Sequence, residues 1–183
     1  MGKIHFIIIK GSWREVADAA RTTVGMVEGQ KEPPPSWKRK MLLSEHSPIR
    51  QLIVKWKWDD LKYWVSVHFV RHKVGIEHFV STQRTDRKGI NRDELPQSSL
   101  ISHECIANAQ AIINISRKRL CCQASGETQE AWKTLLKALK EKEPELVDVC
   151  VRECVYRGFC PELKSCKYYL SDAFKEEIKK YHN

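Results

Sequence analysis

Residues 52–81 read LIVKWKWDDLKYWVSVHFVRHKVGIEHFVS, and two periodicities meet within them. Leu52, Val54, Trp56 and Trp58 alternate with Lys55 and Lys57, the period of a strand with one buried face. Asp59-Asp60 then offers an N-cap, and Leu61, Trp64, Val65, His68, Phe69 and His72 recur at three- and four-residue steps, the period of a short helix. That helix runs out near Lys73 and Gly75, leaving Arg71, His72 and Lys73 at its C-terminal end, and Glu77–Gln83 reads as extended.

Outward from this stretch, strands and helices mix irregularly. Ile4–Ile9 reads as a strand, and Ser12 caps a helix to about Thr23 that carries Trp13, Val16 and Ala20. Lys31–Lys40, with Pro33-Pro34-Pro35, reads as a loop, and Arg84–Glu94 as a charged loop. A long helix is expected from Ser99 to Ala124 and another from Glu127 to Lys142, ended by Pro144. The pattern predicts an α+β fold, a central antiparallel sheet with packed helices, in a single domain at 1–145. A cysteine-rich tail and C-terminal helix follow at 146–183.

The 183 residues suffice for one substantial core, and 42% hydrophobic with 30% charged residues is globular composition. No apolar run approaches a membrane span of ~20 residues. The Ile4–Ile9 run has no cleavage site after it, and Phe6 stands where myristoylation requires Ser or Thr, so the reading is a cytoplasmic protein. A net charge of +9 suits nucleic acid, but equally nucleotides, dinucleotide cofactors or folates.

Position narrows that choice. Arg71-His72-Lys73 is followed after seven residues by Ser81, with Arg84, Arg87 and Arg92 close behind. Arginine presents a planar fork to phosphate oxygens and serine adds a neutral donor, although a solvated loop edge has the same composition. Downstream stand Arg92-x-x-Leu95-Pro96, then Asn108, Asn114 and Arg119, then Ala124 and Glu127. On the expected helix, Asn108 and Arg119 fall about three turns apart on one stripe, either toward a ligand or on the helix surface.

This ordered set resembles the flavin-dependent thymidylate synthases, whose signature is Arg-His-Arg, seven residues, then Ser. Arg71, His72 and Ser81 keep that spacing, and Ser47-Pro48 looks like the family's lead-in. The resemblance implies a compact, divergent synthase of the kind a phage or mobile element carries. Its reaction would convert dUMP to dTMP with FAD, methylenetetrahydrofolate and NADPH as cofactor and co-substrates, in a homotetramer. It implies FAD at Ser47, Arg71, His72, Lys73, Asn108 and Asn114. It implies dUMP at His68, Ser81, Gln83, Arg84, Arg92 and Arg119, with Arg92 on the phosphate and Arg119 polarising the uracil as the catalytic residue.

Three departures stand out. Lys73 replaces a forked guanidinium with a point charge. Gln83 stands where the family has an arginine, which comes one residue late at Arg84. The segment from Ser81 to Arg92 is also shorter than the family's helical insert. A related C5 modification of a pyrimidine nucleotide is the alternative these departures leave open.

The seven cysteines, an odd number without an export signal, point to reduced thiols or metal ligands rather than disulfides. Cys150, Cys154, Cys160 and Cys166 follow a C-x3-C-x5-C-x5-C spacing. Four thiols could close a structural zinc site, with Cys121, Cys122 or His103 able to replace one; an iron–sulfur cluster or simply buried thiols are the other options. A basic, metal-stapled nucleic-acid-binding module is the reading from a different functional class.

Overall fold

The computed structural model describes residues 2–183. In chain order the elements are β1 (Lys3–Lys10), α1 (Trp13–Thr22), α2 (Pro35–Leu43), β2 (Ile53–Lys62), α3 (Tyr63–Phe69), β3 (Ile76–Val80) and α4 (Thr85–Lys88). These are followed by β4 (Leu100–Asn108), α5 (Ala109–Arg119), α6 (Gly126–Lys140), α7 (Pro144–Asp148), α8 (Glu153–Arg157) and α9 (Asp172–His182). The four strands form one antiparallel sheet in the order β1-β2-β4-β3, as the α+β reading expects.

Alternation decides which face each strand buries. Val54, Trp56 and Trp58 of β2 and Ile101, His103, Cys105 and Ala107 of β4 all point into the core. The opposite face carries a polar ladder, in which Lys55 pairs with Glu104 at 2.8 Å and Lys57 with Asp59 at 3.1 Å. Trp56, Trp58, Trp132 and Phe69 interlock beneath the sheet, with Trp58 stacked on Phe69 at 4.8 Å between ring centroids. Leu146, Val149, Val155, Phe174 and Tyr181, from the last forty residues, join the same buried cluster.

Ser12 caps α1 as expected, its hydroxyl accepting from the Glu15 N–H. Four other sequence expectations are corrected. The Asp59-Asp60 pair is not a helix cap: β2 runs on to Lys62, and the register against β4 shifts between Trp58 and Leu61. Asp60 has φ +56, the left-handed conformation that aspartate tolerates at a bulge.

The long helix over Ser99–Ala124 is instead a strand, β4, followed by the shorter α5. His103, Cys105 and Ala107 are weak hydrophobes, so the inward face of β4 is faint in the sequence; pairing with β2 on one side and β3 on the other makes it a strand. Asn108 therefore does not share a helix stripe with Arg119, because it is the N-cap of α5. Finally, α2 begins inside the proline-rich loop at Pro35, and Pro144 starts α7 at its first position, where a missing N–H costs nothing.

Candidate functional site

Two clusters flank α5, one at each end. At its N-terminus, Asn108 Oδ1 accepts from the Ala111 N–H at 2.9 Å, which satisfies one orphan donor of the helix. Around this cap lies a cleft of about 550 Å³ lined by Glu45, Arg50, Val74, Gly75, Asn108, Gln110, Ala111 and Asn114. The Asn114 amide oxygen takes hydrogen bonds from Gln110 and Arg117, at 3.3 and 3.1 Å. Glu45 bonds both Gln110 and Arg117, tying the loop after α2 to this helix.

Gly75 closes the cleft. Its carbonyl accepts from the Asn108 N–H at 2.9 Å, and its φ is +73. A Cβ there would stand 2.7 Å from the Asn108 amide nitrogen. Gly75→Ala should therefore strain the backbone and push Asn108 aside at once. We expect at least tenfold weaker binding of whatever occupies the cleft, with loss of about 1–3 kcal/mol in stability. Isothermal titration of the variant with FAD, beside urea unfolding, measures both.

At the other end, Arg119 closes α5. Its Nε donates to His72 Nε2 at 2.8 Å and one Nη to the His68 carbonyl at 2.7 Å. Accepting from a guanidinium requires His72 to be neutral at Nε2. Burial, Arg119 and His78 together push its pKa down to about 4. His68 is lowered too, by burial and then by Arg119 and Arg71, and its Nδ1 lies 2.8 Å from the Thr128 hydroxyl. Arg119, itself lowered by burial and by Arg71, makes no ion pair with a carboxylate among the described residues.

Beneath His72 runs a histidine relay that the sequence reading did not single out. His78 Nε2 lies 2.9 Å from the His72 carbonyl and must donate to it, so His78 Nδ1 is an acceptor. His103 Nε2, at 3.0 Å, donates to that Nδ1, and the Cys105 thiol stands 3.4 Å away. His103 Nδ1 is then a buried acceptor with no partner. Pairing of His78 opposite Cys105 on β3 and β4 creates the relay, a cross-strand coincidence that linear spacing does not reveal.

The relay has a consequence for pH. His103 is fully buried and its pKa is lowered to about 4 by burial and then by His78. A histidine in the unfolded chain takes up its proton near pH 6.5, so both states are neutral above that and this stabilisation is fully present. Between pH ~6.5 and ~4 the unfolded state binds the extra proton. Stability should then fall with decreasing pH by up to about 1.4 kcal/mol per unit for His103, with a smaller share from the partly exposed His72. Urea midpoints at pH 7, 5.5 and 4.5 measure the slope; a flat profile would contradict the assigned neutral state.

The remaining expected contacts lie apart. Ser47 lines a separate depression with Trp37, Met41 and Pro48. The Ser81 hydroxyl accepts from the Ser102 N–H at 3.1 Å, at the edge of the sheet. Arg84 is held by Asp86 at 2.7 Å, and Arg92, like Arg71 and Lys73, is exposed without an ion pair among the described residues. The segment after Gln83 folds only as the four-residue α4 and a 3-10 turn at Arg92–Glu94. Arg50, Glu45 and Gln110 of the cleft were not anticipated, although Arg50 stands two residues after the Ser47-Pro48 pair.

No family model matches the sequence, and no curated protein matches it. Solved structures do. The flavin-dependent thymidylate synthase ThyX of Helicobacter pylori, solved with FAD and dUMP, superposes with a TM-score of 0.65 at 14% identity, covering 83% of this chain and 100% of that one. The UMP/dUMP methylase PolB of Streptomyces cacaoi, bound with 5-Br dUMP, gives 0.60 at 14% identity, over 87% and 98% of the two chains. On this architecture, the chain has the fold of the flavin-dependent thymidylate synthases.

Proposed function

We propose that this protein is a flavin-dependent enzyme that methylates dUMP to dTMP, with FAD as cofactor and methylenetetrahydrofolate and NADPH as co-substrates. The observation that carries the reading is Arg119, a half-buried guanidinium held by a neutral imidazole and a carbonyl but, among the described residues, by no carboxylate. Such a cation is costly unless a ligand with negative charge completes it. A uracil ring that gains negative charge during reaction is such a ligand, and Arg119 would stabilise that charge.

The cleft at the start of α5 suits the cofactor. Its helix N-terminus, Arg50 and the Asn108 amide offer donors to phosphates and to a ring edge. From Asn108 to Arg119 the helix spans about 16 Å, within the reach of a dinucleotide. Arg71, His72 and Lys73 lie on the loop between the two ends, where they would hold FAD with Asn108 and Asn114. Bound there, the flavin supplies the reducing equivalents. His68, Ser81, Gln83, Arg84, Arg92 and Arg119 would surround the nucleotide, with Arg92 on the phosphate.

Arg71, Lys73 and Arg92 reach solvent, as do the apolar side chains of Val74, Phe79 and Leu100. This is consistent with sites completed between subunits of a homotetramer. In this reading, residues 1–145 form the synthase-like domain and 146–183 its cysteine-rich tail, in a cytoplasmic protein. The minimal α4, in place of a longer wall beside the nucleotide, supports a second reading, a related C5 modification of dUMP or another pyrimidine nucleotide.

The test is optical and then chemical. Purified protein should retain or bind FAD, and its flavin bands should shift on titration with dUMP. Tritium release from 5-labelled dUMP should then require FAD, and product mass separates dTMP from another C5 derivative. Colourless protein with no affinity for FAD would overturn both readings.

A further inference from the structure

Five of the seven cysteines converge on one cavity although the chain brings them from three separate segments. Cys121 and Cys122 follow α5, Cys154 lies on α8, and Cys160 and Cys166 lie in the loop that leads to α9. Cys150 is not among them; its buried thiol donates to the Leu146 carbonyl at 3.2 Å and faces a different depression. Of the thiols grouped by linear spacing, Cys150 thus lies outside this cavity and Cys121 lines it.

Within the cavity the thiols divide by partner. Cys122 and Cys166 are exposed, and Cys122 stands beside Arg152. Cys121 stands near Cys166, and Cys154 near Cys121 and Cys160, close enough that each thiolate hinders ionisation of the next. Burial is the larger cause in both cases and pushes Cys154 up to about 11. Arg152, Glu153, Pro161, Glu162, Tyr168 and Tyr169 complete the lining of the cavity.

Apolar burial holds this part of the chain at Cys160, Tyr168 and Tyr169, which pack against the core, and little elsewhere. Phe159 and Leu163 are exposed, at 55% and 109%, and between α8 and α9 the only regular element is a 3-10 turn at Tyr168–Leu170. A single side-chain bond, Gln123 to the Lys164 carbonyl at 2.8 Å, ties the loop to the end of α5. A segment this poor in packing needs a cross-link to keep one conformation.

We infer that Cys121, Cys154, Cys160 and Cys166 form a four-thiolate metal centre that staples the tail to the loop following Arg119. Spacing bears on the metal. A single zinc holds its thiolate sulfurs about 3.8 Å apart, given Zn–S of about 2.3 Å. Among the described residues, only His78, His103 and Cys105 bring three ligand atoms within 4.8 Å of one another, so the thiols of the tail stand wider than zinc requires. An iron–sulfur cluster, with iron atoms at its corners, spreads its four cysteines farther than a single zinc does. Arg152, ion-paired with Glu177, brings positive charge to the cavity wall, which Glu153 and Glu162 share.

The experiment uses the full chain, expressed with iron and zinc in the medium, purified without oxygen and freed of loose metal. About four iron and about four acid-labile sulfides per chain support a cluster, and about one zinc without sulfide supports the same four-thiolate centre with a single ion. Electron paramagnetic resonance after dithionite separates a reduced cluster from a flavin radical. Cys154→Ser and Cys160→Ser should each lose at least tenfold of the metal, whereas Cys150→Ser should keep it.

Less than about 0.1 metal per wild-type chain would overturn the inference, as would undiminished metal in both Cys154→Ser and Cys160→Ser. The wild-type measurement stands even where a variant fails to fold. Metal content is read without FAD or dUMP, so its failure and that of the enzymatic reading are distinct.

Discussion

Arg119→Ala should lower tritium release from dUMP by about 10²–10³-fold, the usual scale for removing one donor aimed at developing charge. The loss should fall mainly on kcat, because the guanidinium contributes most when the ring is most negative. FAD binding should weaken less than turnover: of the residues proposed to hold FAD, His72 is bonded to Arg119, whereas Asn108 caps the opposite end of α5. His72, freed of its donor and of a neighbouring cation, should titrate nearer the ordinary histidine range. Following the His72 ring protons by NMR from pH 4 to 8 therefore gives a readout apart from activity. Equal kcat in the variant, with the His72 titration unmoved, would remove Arg119 from the mechanism.

The largest effect on stability is expected at Trp58. Its ring is fully buried, stacked on Phe69 and edge-on to Trp56 and His103. Trp58→Ala should cost about 3–5 kcal/mol, through lost transfer energy and the cavity left behind. The damage would also reach function, because Phe69 belongs to α3, whose end carries His68 and leads directly to His72. Trp58→Phe should cost much less. The indole N–H of Trp58 has no partner, so removing it forfeits no hydrogen bond and relieves a buried unpaired donor. Urea unfolding of the two variants orders the costs, and an alanine variant as stable as the phenylalanine one would contradict this packing.

The histidine relay and the Arg119 cradle were legible to different degrees. Arg71, His72 and Arg119 stood out because their types and order carry a recognisable pattern, and the structure does gather them at the C-terminal end of α5. Asn108 and Asn114 line one cleft, whereas the helical stripe expected to join Asn108 to Arg119 does not form, because Asn108 caps α5. Ser81 was selected for its hydroxyl, which here is engaged by a backbone N–H of β4. Arg50 and Gly75 were invisible as site residues, because nothing local to them signals that α5 will begin beside them.

Sequence by itself determined the period-two face of β2, the capped α1, the mixed α+β class and the order of basic and amide residues. These are local properties, set by alternation, capping chemistry and side-chain type over a few positions. Only tertiary structure decided that residues 100–108 form a strand, that Asp60 sits in a bulge, that His78 meets His103, and that Cys121 rather than Cys150 joins the thiol ring. Each of these depends on a partner far away in the chain. A strand with a weakly apolar face gains its hydrogen bonds and burial from its neighbours, and a ligand set exists only once separate segments pack together.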